Sequence, residues 1–60
     1  MTPKVGKHYV IEITNAEGRK WRSIGRCFAM GDGELRWETV GRDDWTPIDE
    51  FKAIREIRLR

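Results

Sequence analysis

Asp32-Gly33 stands between two runs of β-favouring residues, in the stretch Lys20 to Val40, KWRSIGRCFAMGDGELRWETV. An Asp-Gly pair in that setting predicts a β-hairpin closed by a two-residue type I′ turn, because that turn matches the twist of paired strands. With Asp32 and Gly33 as the loop, Met30 faces Leu35, Phe28 faces Trp37 and Arg26 faces Thr39. Phe28 and Trp37 then share one face and begin a core.

The segments around this hairpin also read as strands. His8 to Thr14 (HYVIEIT) is β-branched and alternating, with Tyr9, Ile11 and Ile13 on one side. Asn15 to Gly18 is a turn, with Gly18 suited to a positive φ. If Ile13 faces Trp21 across it, Glu12 faces Arg22. The second strand, from about Arg19 to Met30, carries Trp21 at an odd position and Ile24, Phe28 and Met30 at even ones. A bulge or bend at Gly25 is expected to turn both halves toward one core. The third strand covers 34–40, and 41–44 is a loop. Thr46 and Pro47 suggest the start of one short helical turn near 47–51, followed by a last strand at 53–59. A C-terminal helix over 47–58, covering a three-stranded sheet, is the alternative.

These elements predict an all-β fold, a small SH3-like barrel or strongly bent antiparallel meander of four to five short strands. Residues 1–7 form a flexible arm and 8–60 a single small domain. A chain of sixty residues buries only about 60% of its unfolded surface. Its one cysteine, Cys27, forbids an internal disulfide, and with one histidine, His8, a zinc site is not expected. Three Trp, two Phe and one Tyr supply bulk for a core. Self-association is a further expected source of stability. The segment DDWTPIDEF resembles the stretch before the last helix of chromodomains, with Thr46 where that family has an acidic residue; the family's cage aromatics have no counterparts.

No long apolar run is present, so no membrane partner is expected, and the lone cysteine fits a reducing cytoplasm. The initial Met suggests a complete small protein. Cys27, in a strand between Arg26 and Phe28, reads as packing, and His8 as a surface residue. Asp43-Asp44 reads as a solvated loop, and Asp49-Glu50 as a helix start. An enzyme is not expected, and neither is a cofactor or a metal.

The net charge is +2. Arg19, Lys20, Arg22 and Arg26 concentrate on the second strand and the turn before it, with Lys4 and Lys7 in the arm. A last strand beside them would add Arg55, Arg58 and Arg60. This pattern suggests a nucleic-acid-binding surface of a small basic protein, of a kind found in phage and plasmid genomes. The alternative is a protein-interaction module or small inhibitor that uses Trp45 as its anchor.

Overall fold

The computed structural model describes residues 2–39 and 45–58. Five antiparallel strands form one sheet in the order β4-β3-β2-β1-β5: β1 His8–Thr14, β2 Lys20–Ala29, β3 Leu35–Thr39, β4 Thr46–Pro47 and β5 Lys52–Ile57. The fold is therefore all-β and built from one open sheet. β2 is the longest strand, pairing with β1 through residues 20–26 and with β3 through residues 25–29.

Both hairpin turns are built the same way. Asn15 N–H donates to Arg19 O at 2.9 Å and Gly18 N–H to Asn15 O at 3.0 Å; Met30 N–H donates to Glu34 O at 2.8 Å and Gly33 N–H to Met30 O at 2.8 Å. Each loop thus has three residues and ends on a glycine with φ of 83°. This is the geometry that joins a tight turn to a left-handed residue. Acidic or amide side chains close both loops. Asn15 Oδ1 accepts from Glu17 and Arg19 N–H, and Asp32 Oδ1 accepts from Glu34 N–H.

The three-residue loop corrects the predicted register of the second hairpin. Gly31 belongs to the loop, so Ala29 faces Leu35, Cys27 faces Trp37 and Gly25 faces Thr39. A one-residue slip moves every side chain to the other face. Phe28 is therefore no partner of Trp37. It stands opposite Arg36 on the outer face, and Cys27 takes the core position.

Pairing runs regularly through Gly25, so the bulge expected there is absent. Gly25 serves close packing instead. A Cβ at that position would lie 2.9 Å from Ile11 Cδ1 and 3.2 Å from Trp37 Cε3. The register irregularity falls in the pairing of β1 with β5. Val10 faces Arg55 while Ile11 faces Ala53, leaving Ile54 as the extra residue.

The core lies on one face of the sheet. It consists of Tyr9, Ile11, Ile13, Cys27, Trp37 and Phe51, with Leu35, Ile48 and Ala53 packed against it. Trp37 Nε1 donates to Ile48 O at 3.1 Å, and Tyr9 OH accepts from Lys4 N–H at 2.7 Å, so both buried polar tips are satisfied.

Neither the short helical turn nor the C-terminal helix forms. Thr46 and Pro47 pair with Trp37 and Arg36 as an edge strand, where a proline's missing N–H is tolerated. Glu50 N–H closes one turn onto Pro47 O at 3.1 Å, and residue 52 then begins β5. The expected 41–44 loop, with Asp43 and Asp44, and Arg60 lie outside the described residues.

Candidate functional site

Cross-strand register decides which side chains share the outer face. One row runs Ile57–His8–Arg26–Glu38 across four strands, and the next runs Arg55–Val10–Ile24. Beyond the first row lie Phe28 and Arg36. On this face Arg26 donates from its guanidinium to Glu38 at 2.5 Å and lies over the Phe28 ring, 5.8 Å from its centroid. Phe28 in turn meets Trp45 edge-on, with centroids 5.1 Å apart and planes at 72°.

Trp45 is 52% exposed. It neither covers the core nor stands alone in a polar loop; it rests on an aromatic neighbour of the outer face. A hollow of about 150 Å³ includes the Arg26–Glu38 pair in its lining, with His8, Ile24 and Thr39. The arrangement joins flat aromatic surface to a guanidinium that donates and a carboxylate that accepts. Such surfaces suit polar ligands that also carry apolar faces.

The predicted basic residues are only partly brought together. Lys20, Arg22 and Arg26 share the outer face of β2, while Arg19 closes the first turn. Glu12 does face Arg22, as the β1–β2 register requires. Carboxylates are interleaved among these cations. Lys20 approaches Glu12 at 3.9 Å, Arg26 binds Glu38, and Arg36 binds Glu34 at 3.2 Å. Trp21 is 45% exposed at the far end of the first hairpin, on the core side opposite Ile13. Lys4 and Lys7 line a different groove, with His8, Glu56 and Arg58, although the main chain of Lys7 bonds to Cys27 of β2.

The remaining candidates for chemistry stay separate. Cys27 is fully buried, and burial pushes its thiol above the ordinary range, partly opposed by the nearby Arg26 charge. Asp49 and Glu50 are exposed in the turn before β5. Among the described residues no group of three or more His, Cys, Asp or Glu gathers to hold a metal. Among the same residues no helix is long and apolar enough to cross a membrane. The pairing of Trp45 with Phe28 escaped sequence reasoning. Its only signal was the register of the second hairpin, which a longer turn reverses.

No family model and no solved structure matches the chain. It is similar to two rice proteins named as probable cellulose synthase A catalytic subunits, both UDP-forming. One is subunit 3 of Oryza sativa subsp. japonica and the other is subunit 5 of subsp. indica. Each is 40% identical over 50 residues, which is 82% of this chain and 5% of the relative. The chain thus spans about one twentieth of the relatives it matches. This likeness to plant catalytic subunits overturns the expectation of a non-enzymatic, nucleic-acid-binding protein of phage or plasmid kind, and the alternative of a free-standing interaction module or inhibitor gives way with it. The interleaved carboxylates supply a physical reason, since they compensate the cations that a phosphate backbone would need.

Proposed function

We propose that this chain is a saccharide-holding β-sheet that works as part of a UDP-forming glycan synthase. The observation that carries the reading is the outer-face constellation of exposed Trp45 on Phe28, beside the Arg26–Glu38 pair. The apolar C–H face of a pyranose packs on an indole ring, while its equatorial hydroxyls seek paired donors and acceptors. The names of the rice relatives supply the class of reaction and point to a β-linked glucan as the saccharide.

In this reading the sheet positions a glucan segment while the transfer step takes place elsewhere in the synthase. Residues of the outer face contribute orientation, which lowers the entropic cost of presenting a chain end. An SH3-like barrel is the finer form we assign to the fold. Support for it comes from the return of β5 to β1 and from the way β2 is shared between β1 and β3.

Titration with cellohexaose, followed by tryptophan fluorescence, tests the proposal. A saturable change that disappears in Trp45→Ala, with the thermal transition retained, is the expected result. A signal that never saturates, or one unchanged in Trp45→Ala, overturns it.

A further inference from the structure

A second feature of the molecule lies where the N-terminal segment crosses the end of β5. A groove of about 630 Å³ is lined by Lys4, Gly6, Lys7, His8, Glu56, Ile57 and Arg58. Two lysines and one arginine line it together with one glutamate. Among the described residues, Lys4, Lys7, Arg58 and Glu56 take part in no ion pair. The contrast with the outer face is plain, because Lys20, Arg26 and Arg36 each have a carboxylate partner.

The main chain of the segment is fixed although its lysine side chains are uncommitted. Lys4 N–H donates to Tyr9 OH at 2.7 Å, Gly6 N–H to Cys27 O at 2.7 Å, and Cys27 N–H to Lys7 O at 3.0 Å. Gly6, with φ of 85°, supplies the reversal that folds the segment back on the sheet. Main-chain bonds that do not involve their charges thus place Lys4 and Lys7 along the groove that Arg58 also lines. Gathering like charges in this way is unfavourable unless an anion enters between them, and a fixed backbone reduces the ordering cost of binding it.

We infer that this groove is a binding site for a small phosphate-bearing anion, with the charge and reach of a diphosphate. Lys4, Lys7 and Arg58 supply charge-assisted hydrogen bonds to its oxygens. Glu56 sets an upper limit on the charge excess and disfavours ligands that approach from its side. The site is independent of the saccharide reading, since none of these three cations lies in the Trp45–Phe28–Arg26 constellation.

Isothermal titration of the full chain with inorganic pyrophosphate and, separately, with UDP tests the inference. One-to-one saturable binding is expected at low salt, weakening as salt rises. Tighter binding of UDP assigns the phosphate to a nucleotide; equal or tighter binding of pyrophosphate assigns it to free diphosphate. The Lys7→Gln, Arg58→Gln double variant is expected to bind about tenfold more weakly or less. Its main-chain bonds persist, so an unchanged thermal transition accompanies the loss. Trp45→Ala keeps wild-type affinity for pyrophosphate while losing cellohexaose, which separates the two sites. Absence of saturable binding to either probe overturns the inference, as does equal affinity in the double variant. A matched Lys20→Gln, Arg22→Gln variant that loses as much would overturn it too, because the effect would then be general charge.

Discussion

The ring of Tyr9 meets the ring of Trp37 edge-on, with centroids 5.6 Å apart and planes at 69°. Each ring also fastens a piece of irregular chain to the core. Tyr9 OH holds the amide of Lys4, and Trp37 Nε1 holds the carbonyl of Ile48. Two side chains thus link β1, β3, the N-terminal segment and the turn before β5.

Truncating the larger of the two should be severe. Trp37→Ala is expected to cost about 3–5 kcal/mol, a large share of what a domain this small possesses. Tyr9→Phe removes only the bond to Lys4 and is expected to cost about 0.5–1.5 kcal/mol. Chemical denaturation followed by circular dichroism checks both values. A Trp37→Ala midpoint close to wild type would contradict the placement of this ring at the centre of the core.

Gly25 owes its identity to space. Gly25→Ala brings a methyl to 2.9 Å from Ile11 Cδ1 and 3.2 Å from Trp37 Cε3, and is expected to destabilise by about 1–3 kcal/mol. Ile11→Val removes the nearer obstruction at a cost of about 0.5–1.5 kcal/mol on its own. The double variant is then less destabilised than the sum of the two singles. Additive costs in that cycle would show that the methyl and Ile11 do not compete for the same volume.

Much of the fold is legible in the residues. The alternation of Tyr9, Ile11 and Ile13 places β1 and its inner face, and Gly18 and Gly33 mark both reversals. What misleads is the length of the second loop. Asp32-Gly33 is a good two-residue turn in isolation, but Gly31 adds a residue, and the loop then copies the Asn15–Gly18 turn. That single residue exchanges Cys27 for Phe28 in the core and creates the outer aromatic pair with Trp45. The ambiguity between strand and helix after Phe51 has a local cause as well. The bulge at Ile54 breaks the alternation of β5, so Ala53 and Ile57 face opposite sides despite their spacing.

Arg26 and Glu38 separate stability from binding. Both side chains are substantially solvated, at 40% and 52% exposure, so Arg26→Ala is expected to cost at most about 1 kcal/mol. The same change removes the donor to Glu38 and the cation over Phe28, the ring on which Trp45 rests. Cellohexaose binding should fall sharply while the denaturation midpoint hardly moves. A variant that binds as well as wild type would remove this pair from the proposed surface.

Cys27 makes stability sensitive to alkali. Its thiol is raised by burial, so the folded state holds the proton more tightly than the unfolded chain does. The contribution is fully present below the unfolded value of about 8.5 and is lost as pH rises through the folded value. Denaturation midpoints are expected to fall from pH 8 upward in the wild type and to fall less in Cys27→Ala. Equal alkaline slopes in the two proteins would contradict a buried, protonated thiol.

The register of the second hairpin carries the whole account, because it sends Cys27 inward and Phe28 outward to meet Trp45. Thiol reactivity reads it directly. Under native conditions, 5,5′-dithiobis(2-nitrobenzoate) is predicted to label Cys27 only as fast as the chain unfolds, with full and immediate labelling in denaturant. Immediate stoichiometric labelling of the folded protein would place Cys27 on the outer face, restore the two-residue turn and dissolve the aromatic surface proposed here.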